Sequence, residues 1–140
     1  MKILFASLLA LNIAHAQHSD QPQKESDSDL RSQTVLFSIE DVSSGRVIAL
    51  ERTAGLDNYL RLTKGKEESI KKVDSREAKK MDLDFAKHFL KCQYELPTVE
   101  GKCEVMLRLN LKGEDQEICK KDEKKTQEFA EFVQNLNQRF

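Results

Sequence analysis

The chain is poor in the residues from which the common catalytic motifs are built. Its five glycines stand singly. None belongs to a G-x-S-x-G elbow, a Walker loop or a G-x-G-x-x-G run, so no signature of an α/β-hydrolase, a P-loop enzyme or a dinucleotide-binding unit is present. Only three histidines occur, His15, His18 and His88. No H-x-x-x-H, C-x-x-C or E-x-x-H spacing occurs either, so no metal site is expected and no cofactor is implied. Charge of one sign is also not concentrated anywhere: 23 Lys and Arg are interspersed with 24 Asp and Glu. That mixture offers no basic patch for nucleic acid or a membrane in the linear sequence. The single long apolar run lies at the N-terminus, and no second run approaches membrane length.

That run reads as an address. Lys2 precedes the apolar stretch from Ile3 to Ile13, and Ala14-His15-Ala16 has the A-x-A form of a cleavage site. A spanning helix needs about 20 apolar residues, so this is expected to be a secretory signal peptide over residues 1–16, with the mature chain starting at Gln17. Its removal takes away Lys2 and no acid, which moves the formal net charge from −1 to −2. The mature chain is expected to be soluble and exported, to a periplasm or to the outside, with no membrane insertion after cleavage. Residues 17–33, QHSDQPQKESDSDLRSQ, contain one leucine and no other large apolar residue. Such a segment cannot bury enough surface to offset its ordering entropy, and a disordered linker is expected.

Residues 34–140 hold the alternation of a folded domain. Charged residues make up 34% of the chain and hydrophobic ones 39%, which supports one small domain with a modest core. Val35 to Glu40 and Arg46 to Arg52 are β-rich runs around Ser43-Ser44-Gly45, a hairpin pattern. Asn58 to Thr63 alternates with Leu60 and Leu62 on one face, and Ser69 to Val73 forms one more short strand. Asp74 with Glu77 three residues on has the form of a capping box. Ala78, Met81, Phe85, Ala86, Phe89 and Leu90 then recur at helical steps and predict a core-facing helix ending near Cys92. Cys103 to Leu111 alternates again, Lys112-Gly113 turns, and Asp115 to Cys119 returns. Asp122 caps a last helix, in which Phe129, Phe132, Val133, Leu136 and Phe140 share a stripe. The expected fold class is α+β: one two-layer domain, a mainly antiparallel sheet with two helices packed on one face.

Three cysteines leave one over. With a hairpin turning at Lys112 to Asp115, Cys119 falls opposite Arg108. Cys103 and Cys119 are then several residues out of register at ~3.3 Å per residue, too far for a bond whose Cα atoms must lie within ~4.4–6.8 Å. The expected disulfide is therefore Cys92–Cys103, which would pin the helix end to the sheet. Cys92–Cys119 and no intrachain bond are the alternatives, and the odd thiol is either buried or the link of a dimer.

With no catalytic constellation beyond the i, i+4 pair His88 and Cys92, no enzyme is expected. Protein–protein binding with an unidentified partner is the leading expectation, and an envelope-associated protein joined as a disulfide-linked dimer is one alternative. Two segments are candidates for the contact. One is Thr53, Ala54, Gly55, Leu56 and Asp57, which break the pattern between two strands. The other is the polar face of the 103–111 strand, with Met106 and Arg108. A second alternative comes from layout. Glu51-Arg52-Thr53-Ala54-Gly55-Leu56, followed by a strand, a helix built on Ser75-Arg76-Glu77-Ala78, a hairpin over Val105–Ile118 and a last helix, resembles the emfourin-type inhibitors of thermolysin-like metalloproteases. The likeness covers residues 46–138, with Thr53-Ala54 standing where that family's opening turn has a Gly-Gly-Phe-like run. What the resemblance implies is a protease inhibitor whose partner is an exported protease, with Thr53 to Asp57 as the segment to test.

Overall fold

The structure, a computed structural model, describes residues 33–140. The expected leader at 1–16 and the linker, save Gln33, lie outside the described residues. The chain order is β1 (Thr34–Asp41), β2 (Arg46–Arg52), β3 (Asn58–Lys64), β4 (Glu67–Val73), α1 (Ser75–Tyr94), β5 (Val105–Leu111), β6 (Glu114–Cys119) and α2 (Glu123–Asn137). The six strands form one sheet in the order β4-β3-β2-β1-β5-β6. Every neighbouring pair is antiparallel. The first four strands make a meander, α1 carries the chain over the sheet, and the β5–β6 hairpin joins the free edge of β1. The α+β, two-layer expectation holds.

Alternation decides which face is buried. Phe37 and Ile39 of β1 stand beside Leu50 and Ile48 of β2 and beside Leu111 and Leu109 of β5, and all six side chains are buried. Leu60 and Ile118 extend this apolar face outward, and both are fully buried. Onto it α1 lays Ala78, Met81, Phe85, Phe89 and Cys92, and α2 lays Phe129 and Leu136. The centre is aromatic. Phe37 stacks on Phe85 with ring centroids 4.4 Å apart, and Phe85 meets Phe129 and Phe132 at 5.7 and 5.9 Å. One contact set thus joins β1 to both helices, the kind of anchor that large buried rings supply.

The helix ends are set by specific groups. Asp74 accepts a hydrogen bond from the Glu77 amide at 2.9 Å, the N-cap half of the expected box. Glu77 itself turns to an ion pair with Arg139. His88 and Lys91 meet Glu128 further along, so α1 and α2 run antiparallel. Two expected core residues are not in the core: Leu90 is 46% exposed and Phe140 42% exposed. Leu90 lies about 140° around the helix from Phe85 at 100° per residue, and Phe140 follows the end of α2.

The disulfide expectation is corrected. Cys103 is bonded to Cys119, with Cα atoms 5.3 Å apart, and Cys92 is the free thiol. Two local features close the gap. Lys112 and Gly113 alone form the turn, both with positive φ (51° and 91°), so Leu111 pairs with Glu114 and Arg108 with Glu117. Such a two-residue turn matches the strand twist. A bulge at Met106 then slips the register again and sets Cys119 opposite Val105. Cys103 lies just before the ladder, where the chain is free to bring its sulfur across.

Candidate functional site

The expected loop exists and is tightly defined. Thr53 opens it, donating its amide to the Asp57 carbonyl at 2.9 Å and accepting from the Leu56 amide at 3.0 Å. Its hydroxyl also accepts from the Asp57 amide at 3.2 Å. Asp57 is anchored to Lys72 of β4 at 3.1 Å. Within this frame Leu56 takes a left-handed backbone, φ +66°, and its side chain is 70% exposed. Glycine or asparagine normally occupies such a position, because a Cβ crowds the following carbonyl there. Gly55, one residue earlier, is not in that region, and a Cβ added to it would meet only the Thr53 hydroxyl at 3.8 Å. The loop thus holds a bulky apolar residue, at a backbone penalty, pointing into solvent. The sequence gives no direct sign of this, since Gly55 looks like the residue that would supply the turn.

The second candidate segment is separate. Met106 sits at the bulge and its carbonyl accepts from the Val42 amide at 3.0 Å. Thr34, opposite Arg52, marks the loop end of the sheet, and Val42 lies eight residues away, roughly 26 Å at ~3.3 Å per residue. Thr53–Asp57 and Met106 therefore belong to opposite ends. Arg108 is exposed but occupied, with Glu40 at 3.5 Å and Glu117 at 3.4 Å. Together with Asn110 bonded to Asp115 at 2.7 Å, these pairs make that sheet face a closed polar ladder around a shallow hollow of about 290 Å³.

His88 and Cys92 do not form a nucleophile pair. The His88 Nδ1 is 2.8 Å from Glu128, and its ring packs on Phe129 and Phe132. Cys92 is fully buried; that burial, with the Glu128 charge second, pushes its thiol up to about 11. A thiol so placed is not a nucleophile at neutral pH. The hydrogen bond from Lys91, and then that from His88, holds Glu128 below the ordinary carboxylate range. His88, Glu128 and Phe132 line an open interhelical groove of about 460 Å³. Among the described residues no cluster of three or more His, Cys, Asp or Glu could hold a metal ion.

One tie escaped sequence reasoning. Asp122 is at the N-cap position of α2 but makes no cap bond with its side chain. It is buried and accepts from the Val99 amide at 2.9 Å. Lys125, also buried, donates to the Thr98 hydroxyl at 3.0 Å. Both bonds fasten the 95–104 connection to the start of α2. No protein-family model matches the chain, nor does any curated protein or solved structure.

Proposed function

We propose that this chain is a non-enzymatic exported protein that binds a partner protein through the β2–β3 loop, with Leu56 as the inserted side chain. The observation that carries the reading is Leu56 itself: φ +66°, 70% exposed, and held by hydrogen bonds at Thr53. Strain that no burial offsets is kept where it serves contact, and a rigid loop loses little entropy on binding. The Cys103–Cys119 bond and the leader-like residues 1–16 both fit an oxidising compartment, periplasmic or extracellular. The free thiol, Cys92, is buried, which favours this reading over a disulfide-linked dimer.

The inhibitor reading is the specific form of the same proposal, since the emfourin resemblance points to this same loop. A thermolysin-like metalloprotease is then the partner. The test is inhibition of thermolysin by the wild type, by Gly55→Trp and by Leu56→Ala. Inhibition lost in both variants with an unchanged unfolding midpoint supports the inhibitor form. Absence of inhibition by the wild type removes thermolysin and leaves the loop to be tested against the source organism's exported proteins.

A further inference from the structure

The outer face of α1 is built differently from the rest of the surface. At 100° per residue, Leu83, Leu90 and Tyr94 fall within a narrow arc roughly 160° from the centre of the buried stripe. They are 59%, 46% and 76% exposed. Arg76 falls in the same arc and Lys79, Lys80 and Lys87 flank it within about 40°, and all four are exposed. Two of the three acids of α1 are engaged away from this face, Glu77 with Arg139 of the C-terminal segment and Asp82 with Lys112; the third, Asp84, is exposed beside Lys80 and Lys87 and lines the groove toward α2. None of the four cations makes an ion pair among the described residues. A helix face that joins unpaired cations to apolar side chains, with a tyrosine at one end, has the chemistry of a surface that lies on anionic lipid.

We propose that the outer face of α1 docks the domain onto an anionic lipid surface, with Arg76, Lys79, Lys80 and Lys87 on headgroup phosphates and Leu83, Leu90 and Tyr94 dipping into the interface. The contact is peripheral: no helix among the described residues is long and apolar enough to cross a membrane. Charge complementarity selects this occupant. The chain as a whole carries a formal net charge of −1, so attraction to an anionic surface has to be local and oriented, and this face supplies it. Apolar residues set among the cations favour a bilayer interface over a purely ionic partner such as an acidic polypeptide. The inference is independent of the β2–β3 loop reading.

The test uses the absence of tryptophan from the chain. Tyr94→Trp, at an exposed position, creates a single emitter on this face. The protein is studied both as the full chain and from Gln17 onward, so that the apolar N-terminus is controlled for. Vesicles of phosphatidylcholine containing phosphatidylglycerol are expected to shift Trp emission to the blue, and phosphatidylcholine alone is expected to leave it unchanged. Lys79→Gln/Lys80→Gln/Lys87→Gln in that background is expected to weaken partitioning by on the order of 100-fold, at about fivefold per cation near the surface, with the unfolding midpoint unchanged. No blue shift with anionic vesicles, or an equal shift in the triple variant, overturns the proposal. Binding to polyglutamate of the same strength as to the vesicles also overturns it, in favour of an acidic polypeptide.

Discussion

Leu56→Asn separates strain from function at one position. A non-glycine residue in the left-handed region costs roughly 1–2 kcal/mol. At Leu56 that penalty is not offset by packing, because the side chain is 70% exposed. Asparagine tolerates the same backbone through its short polar side chain, so relief of about 1 kcal/mol is expected. Leu56→Ala removes the apolar side chain but keeps the Cβ and the strain, and its stability is expected to stay within ±0.5 kcal/mol of wild type. The assay is urea unfolding, with the Asn variant expected to raise the midpoint at constant m and the melting temperature by about 4–8 °C. Both variants are expected to lose partner binding together, the more stable one included. An Asn variant less stable than wild type would refute the argument, because it would mean that Leu56 contributes packing that its exposure denies.

Three further outcomes follow from the same geometry. Reduction of Cys103–Cys119, which closes a separation of 16 residues, is expected to lower stability by about 3 kcal/mol in the chain-entropy model; urea unfolding with and without reductant reads it, and Cys92 should label with a thiol reagent only on unfolding. Glu128 has its folded pKa lowered, so its contribution is present above the unfolded value and lost as pH falls through the lower folded one. The fall in wild-type stability below about pH 4.5 should therefore be shallower in Glu128→Gln, and a slope unchanged by the substitution would count against the Lys91–Glu128–His88 cluster. Asp122→Ala leaves the Val99 amide without its acceptor and should destabilise by about 1–3 kcal/mol, with faster amide exchange at Val99 than elsewhere; exchange unchanged there would remove the proposed tie.

Strand and helix order was legible because the signals were local: alternation at Leu60 and Leu62, turn residues at Ser43 to Gly45, and the Asp74–Glu77 cap. The cysteine pairing was not, because it depends on counting along a ladder. A two-residue turn at Lys112-Gly113 and a bulge at Met106 each move the register, and neither the loop length nor the bulge has a marker in the sequence. Leu90 was placed in the core because it stands four residues after Ala86, but Ala86 is itself at the margin of the buried stripe and one further step carries the side chain into solvent. At the candidate site the segment 53–57 could be found as a break between strands. The left-handed backbone at Leu56 could not, since Gly55 is the residue expected to take it. The cation face of α1 escaped a reading of charge along the chain, because only the helix brings residues 76, 79, 80 and 87 into one arc.

The central claim is that an exposed Leu56 on a fixed loop makes the partner contact. The most direct measurement is affinity capture from the source organism's exported fraction using wild type, Leu56→Asn and Arg108→Ala as baits, each capture quantified by mass spectrometry. The account predicts a protein retained by wild type and Arg108→Ala and lost with Leu56→Asn, although that variant is the most stable of the three. A partner retained equally by Leu56→Asn and lost with Arg108→Ala would contradict it and move the interface to the ladder on the open sheet face.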